Sequence, residues 1–237
     1  MFELSARAQD YVERTKQFIQ NEIEPIETDF WHEVHELNQG GDWTKWQWPA
    51  QLETLKAKAK AAGLWNMFLP CPELGQGLSV QEYAHIAELT GRSLLAPTVF
   101  NCNAPDSGNM EVLWRYGSEA QKQEWLTQLL DGKIRSVFCM TEPAVASSDA
   151  TNMQATAVIE GDEIVLNGRK WWSSGLGDPN AKIIIFMAHT PDETKDRHHQ
   201  HSMVLVPVET AGVKIERMLP VFGDYDAPHG HGEISFS

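Results

Sequence analysis

Apolar residues in the first 132 positions recur at three- and four-residue intervals, and after Lys133 they recur at two. Leu4, Ala8, Tyr11, Val12, Phe18 and Ile19 make one helical stripe that ends near Glu24-Pro25. Leu52, Leu55, Ala59 and Ala62 make a second, closed by Gly63. Ser79-x-x-Glu82 is a capping-box pattern opening a helix with Tyr83, Ile86, Ala87 and Thr90. Met110, Leu113 and Trp114 mark another helix, broken at Gly117. Ser118-x-x-Gln121 caps the last, which carries Trp125, Leu126, Leu129 and Leu130 and stops at Gly132. Residues 66–77 and 96–108 read as loops, and 38–48, with three tryptophans and paired glycines, fits no regular pattern.

Beyond Lys133 the alternation predicts strands over 136–141, 155–160, 163–166, 169–173, 182–189, 202–208, 213–219 and 232–237, with Asn167-Gly168 as a hairpin turn. Short strands with frequent turns make a small β-barrel or sandwich. The expected fold class is therefore α+β, with an all-α domain over 1–133 and a β-domain over 134–237. The chain closes on the alternating run Glu233-Ile234-Ser235-Phe236-Ser237. Ending on a strand predicts an open edge, and with it a piece cut from a longer protein.

Composition narrows the function. The 237 residues are 42% hydrophobic and 22% charged, as in ordinary globular proteins. A formal net charge of -14 argues against nucleic acid as a partner. No run of about 18 apolar residues suggests a membrane span, and Met1-Phe2-Glu3-Leu4-Ser5 lacks the character of a signal peptide. Cys71, Cys102 and Cys139, in no CxxC spacing, point to reduced thiols and a cytoplasmic setting.

Two segments carry candidate chemistry. Phe138-Cys139-Met140-Thr141-Glu142-Pro143 is a strand-like run stopped by proline, followed by Ala144-Val145-Ala146-Ser147-Ser148-Asp149, rich in small residues and hydroxyls. Free backbone N–H groups in such a stretch suit an anionic or carbonyl-rich ligand. Lys170-Trp171-Trp172-Ser173-Ser174-Gly175 then offers indoles for a flat aromatic ligand and hydroxyls to read its edge. The plainer reading is a hairpin with a buried Trp and an ordinary proline turn.

Both segments, in this order and separation, resemble the flavin-binding core of the acyl-CoA dehydrogenases. The run from Thr141 to Asn152, the Trp171-Trp172-Ser173-Ser174-Gly175 wall and Val221-Phe222-Gly223 are most similar to the subgroup of family members ten and eleven and its bacterial relatives. The resemblance implies the family's helical and middle β-domains, without its carboxy-terminal four-helix domain, which supplies the catalytic carboxylate and much of the oligomer interface. It implies FAD as cofactor and α,β-dehydrogenation of an acyl-CoA thioester, with hydride transfer to flavin N5. Electrons would pass to an electron-transferring flavoprotein. A 4-hydroxyacyl-CoA-type substrate and a homodimer or homotetramer are further implications.

Residue by residue, the resemblance places Phe138, Met140 and Thr141 along the pyrimidine side of the isoalloxazine. Trp172 would pack on the flavin face away from substrate, with Ser173 beside it, and Ser174 would meet the N5–O4 edge. Ser148 would lie where flavin pyrophosphate and acyl-CoA pantetheine approach. One extra residue between Pro143 and Ser148-Asp149, relative to the common family pattern, leaves the roles of Ser147 and Ser148 open. No catalytic residue is assigned; Glu142 reads as a structural turn residue rather than a base.

Other signals carry less. His198, His199 and His201 lie in a charged loop without zinc-motif spacing, so no metal is expected. His229 and His231 flank Gly230 in a connection that either reaches the substrate or a neighbouring subunit or is an exposed turn. Glu73-Leu74-Gly75-Gln76-Gly77 lacks a surrounding βαβ unit, and no Gly-x-Ser-x-Gly elbow is present. Two competing functions remain: an oxygen-using acyl-CoA oxidase-like enzyme, and a non-catalytic flavin-binding scaffold that lost its base.

Overall fold

A computed structural model describes residues 3–237. The chain forms two compact units: one from the chain up to Gln39 and Trp48–Gly132, the other from Gly40–Gln47 and Lys133–Ser237.

The first unit is helical. Its elements are α1 (Ala6–Phe18), α2 (Glu27–Leu37), α3 (Gln51–Ala61), α4 (Val80–Thr90), α5 (Ala96–Val99), α6 (Asp106–Tyr116), α7 (Glu119–Gln121) and α8 (Thr127–Leu130). Wide π-type turns at Ile19–Ile23 and Lys122–Leu126 extend α1 and join α7 to α8. Both expected capping boxes form: Ser79 with Glu82, and Ser118 with Gln121. Each satisfies two helix-end donors that would otherwise lack a partner. The predicted stripes meet in one core that includes Ala8, Ile19, Leu52, Leu55, Ala59 and Ile86.

Two helices escape the periodicity. α2 buries only Phe30 and Val34, a two-residue stripe too short to register. The segment 96–108, expected as a loop, holds α5 and the start of α6. In α5 the proline sits in the first turn, where a missing N–H costs nothing, so it begins a helix rather than breaking one.

The second unit is a seven-stranded mixed sheet: β1 (Arg135–Cys139), β2 (Thr156–Glu160), β3 (Glu163–Ser174), β4 (Ala181–His189), β5 (His201–Pro207), β6 (Val213–Met218) and β7 (His231–Phe236). The order is β1-β4-β2-β3-β7-β6, with β5 on β4. β1 and β4 run parallel, while β4–β5, β2–β3, β3–β7 and β6–β7 are antiparallel.

Two strand expectations are corrected. Asn167-Gly168 is not a turn: β3 runs unbroken through it, and β2 and β3 turn instead at Gly161-Asp162. Gly168 is there for close approach, since a Cβ would stand 2.4 Å from that of Ala155. The closing strand β7 has no open edge, because it pairs with β3 on one side and β6 on the other.

The irregular tryptophan segment also finds its place. Gly40–Gln47 belongs to the second unit, not with the helices. Trp46 is buried there against Gly177 and Gly230, where added Cβ atoms would meet its ring at 2.6 and 2.8 Å. Gly177→Ala is expected to overpack this contact and lower stability by about 1–3 kcal/mol, read as an earlier midpoint in urea unfolding. An unchanged midpoint would show that the indole yields freely.

Candidate functional site

The ladder between β3 and β7 breaks where the sequence places its paired tryptophans. Register shifts between Lys170 and Ser173 and resumes with Ser173↔Gly232 and Ser174↔His231. Released from β7, the Trp171 N–H donates to the Thr141 carbonyl at 3.0 Å, which ties the segment after β1 to β3. A bulge of this kind re-aims a side chain. Here the next residue, Trp172, adopts φ +50° and leaves its indole 42% exposed. A bulky residue in left-handed backbone costs roughly 1–3 kcal/mol, and such strain clusters at ligand sites.

Around that ring lie the groups a planar ligand needs. The Trp171 ring is 6.2 Å away, tilted by 56°, and the His231 ring is 6.3 Å away, tilted by 52°. Half-buried Ser174 holds its Oγ 2.9 Å from His231 Nδ1. An exposed aromatic plane with a hydroxyl beside it suits a flat heteroaromatic ring that has polar edge atoms. The residues present therefore fit a flavin.

Beneath this wall sits a buried ion pair. Lys170 is fully buried, and its Nζ donates to Glu142 Oε1 at 2.8 Å and to the Met140 carbonyl at 2.9 Å. Glu142 also accepts the N–H groups of Gln154 and Ala155, each at 2.9 Å. Its own N–H donates to Ser147 Oγ at 2.8 Å. One carboxylate thus fastens β3, the end of β1 and the loop before β2. Burial alone would raise the Glu142 pKa, but Lys170 and the two backbone donors outweigh it and hold the group below the ordinary value. Burial draws Lys170 below its ordinary range, against the pull of Glu142.

Glu233, paired with Arg217 at 2.7 Å and Arg169 at 2.7 Å, is likewise depressed, chiefly by its bond to Arg217. Two depressed carboxylates bind protons less readily folded than unfolded. Their stabilisation is complete above the ordinary carboxylate value of 4.5 and is lost as pH falls through the lower folded values. The melting temperature is accordingly expected to fall below about pH 4.5. Glu142→Gln should flatten that limb in a pH series of thermal melts, and an unchanged limb would dissociate it from this pair.

Comparison with known proteins shows the family of the chain. Residues 5–133 match the acyl-CoA dehydrogenase N-terminal domain, and residues 137–237 match the acyl-CoA dehydrogenase middle domain. The chain belongs to the acyl-CoA dehydrogenase family. It is 50% identical to acyl-CoA dehydrogenase family member 11 of Mus musculus over 240 residues, all of this chain and 30% of that protein. It is 49% identical to the probable acyl-CoA dehydrogenase FadE2 of Mycobacterium tuberculosis, covering 99% of this chain and 56% of the relative. A solved structure of a putative acyl-CoA dehydrogenase from Mycobacterium abscessus is 60% identical with a TM-score of 0.93, covering 100% of this chain and 58% of that one. The chain thus spans between about a third and three-fifths of these relatives' lengths.

Within this acyl-CoA dehydrogenase middle unit the eight expected site residues divide. Met140, Thr141, Trp172 and Ser174 come together through the Thr141–Trp171 and Met140–Lys170 bonds. Phe138 lies half-buried in β1, on the same face as Met140 by strand alternation. Ser147 has its hydroxyl engaged by the Glu142 turn, while Ser148 is exposed. Just past the bulge, Ser173 has its side chain buried, 1% exposed and without a hydrogen bond of ordinary geometry. Its neighbour Cys139 is pushed up to about 12 by burial, so that thiol is inert.

His231, expected in a connection that either reaches the substrate or a neighbouring subunit or is an exposed turn, instead opens β7 opposite Ser174. Its sequence signal was the glycine-flanked histidine pair, which gave no hint that β7 would deliver it opposite Ser174. The other histidines form no metal site among the described residues. His199 instead contacts Asp196 at 2.6 Å in an exposed turn. No helix among the described residues is long and apolar enough to cross a membrane.

Proposed function

We propose that this chain supplies the flavin- and thioester-binding part of an FAD-dependent acyl-CoA dehydrogenase that introduces an α,β double bond into an acyl-CoA. The observation carrying this reading is Trp172, held exposed on a strained bulge beside Ser174. FAD held there would supply the hydride acceptor for the substrate's β-hydrogen, chemistry that protein side chains lack.

The chain's own residues bind and orient. Trp172 packs on one flavin face and keeps water from it. Ser174 meets the N5–O4 edge. Phe138, Met140 and Thr141 line the pyrimidine side, with Ser173 contributing backbone only. Ser148, rather than Ser147, reaches the pyrophosphate and pantetheine, because the Ser147 hydroxyl is engaged by the Glu142 N–H. The ion pair with buried Lys170 makes Glu142 a clamp rather than the α-proton base, and the family resemblance puts that base in a carboxy-terminal domain.

An electron-transferring flavoprotein as acceptor, a 4-hydroxyacyl-CoA-type substrate and a homodimeric or homotetrameric assembly extend this reading from the resemblance. The three free cysteines favour a reducing, cytoplasmic setting. Steady-state assays of the full-length protein with oxygen and with an artificial electron acceptor test the reading. Turnover with the acceptor and little peroxide is expected, whereas prompt peroxide formation would assign it to the oxidases.

A further inference from the structure

Three polar side chains in the second unit form a line that ends at the proposed flavin edge. Ser174 Oγ lies 2.9 Å from His231 Nδ1. On the far side of the imidazole, His231 Nε2 is 3.4 Å from Asp226 Oδ2. Backbone bonds fix all three. Ser174 and His231 are register partners across β3 and β7. Asp226 sits in a turn where its N–H donates to Asp224 Oδ1 at 3.1 Å and its carbonyl accepts the Gly230 N–H at 2.8 Å.

The chemistry of the line sets a direction. The Asp226 carboxylate, 3.4 Å away, favours the proton on the imidazole nitrogen that faces it through charge rather than through a hydrogen bond of ordinary geometry. In a neutral ring the other nitrogen is then an acceptor, and Ser174 must donate to it. The Ser174 hydroxyl hydrogen therefore points at His231, leaving an oxygen lone pair for whatever lies beyond. Flavin N5 is an acceptor when oxidised and carries hydrogen when reduced. A serine that offers a lone pair complements only the second.

We infer that His231 is a positioning residue that fixes the direction of the Ser174 hydroxyl and so favours the reduced over the oxidised flavin. The inference rests on the flavin reading of the Trp172 wall, and it adds a role that Ser174 alone does not have. With His231 removed, the hydroxyl is free to donate to oxidised N5, and the balance moves toward the oxidised form. Asparagine at 231 keeps an acceptor near the Nδ1 position, whereas phenylalanine fills similar space without one.

The test is the midpoint potential of FAD bound to the full-length protein, at mildly alkaline pH, for wild type, His231→Asn, His231→Phe and Asp226→Gly. His231→Phe is expected to bind FAD at wild-type stoichiometry and to shift the reduced-to-oxidised ratio about tenfold toward oxidised, a potential about 30 mV more negative for a two-electron couple. His231→Asn should stay near wild type. An unchanged potential in His231→Phe, or equal shifts in His231→Phe and His231→Asn, would overturn the inference and leave the flavin reading intact. Should either His231 variant lose FAD, Asp226→Gly, which removes the carboxylate and suits the left-handed backbone there, decides from its exposed turn: a negative shift supports the relay and no shift overturns it. A wild-type protein that binds no flavin would instead overturn the reading beneath both.

Discussion

Trp172→Ala in the full-length protein is expected to weaken FAD binding about tenfold while leaving the melting temperature nearly unchanged. Tenfold corresponds to about 1.4 kcal/mol, within the roughly 1–3 kcal/mol that stacking on an aromatic side chain contributes per base. Stability changes little because the indole is largely outside the core and its backbone is strained. Alanine relieves side-chain crowding at that left-handed position only in part, so no large gain is expected either. Trp171→Ala should show the reverse pattern. Its ring is half-buried with Nε1 enclosed and unpartnered, so truncation costs about 3 kcal/mol of stability and only a minor share of flavin affinity. Flavin-to-protein ratios and thermal melts on both variants check this. Equal flavin loss in the two would refute Trp172 as the stacking residue.

Glu142→Ala carries the largest expected stability effect. It leaves the Lys170 ammonium, wholly buried, without its counter-charge, and strands the N–H groups of Gln154 and Ala155. Removing one partner of a buried pair typically costs about 3–5 kcal/mol. Lys170→Met is expected to cost less, because Glu142 keeps two backbone donors after the ammonium is gone. The double variant Glu142→Ala/Lys170→Met removes both charges, and its loss should fall well short of the sum of the single losses. Denaturant unfolding of the four proteins gives the coupling. Strict additivity would mean that the pair does not act as one clamp on the loop after β1.

The motif residues of the wall were legible in the sequence, whereas the Lys170–Glu142 clamp was not, because it joins positions 28 apart. The capping boxes at Ser79 and Ser118 announce themselves because their hydrogen bonds close within three residues. The strands after Lys133 are legible because half of each faces a core that includes Val137, Cys139, Ile184 and Phe186. Asn167-Gly168 misled because the dipeptide that suits a hairpin turn also suits a strand passing close to Ala155, and only tertiary contact separates the two. Trp46 and the sheet partners of β7 depend on segments far apart in sequence, which no local pattern encodes. The site was named from its motifs, but its geometry was not. The bulge that turns Trp172 outward arises from the lost pairing with β7, and the same pairing brings His231 to Ser174. Ser173 was grouped with Ser174 as a pair of adjacent hydroxyls, but the burial of its side chain follows from how β3 leaves the bulge, which no local pattern encodes.

The central claim is that the Trp172 wall holds a flavin which takes electrons from an acyl-CoA. Absorbance spectra of the purified full-length protein, recorded without oxygen before and after adding a panel of acyl-CoA thioesters that includes 4-hydroxyacyl forms, test it most directly. Oxidised-flavin bands that bleach on addition of an acyl-CoA are the predicted result; a protein purified without flavin bands, and unable to gain them from added FAD, would contradict it.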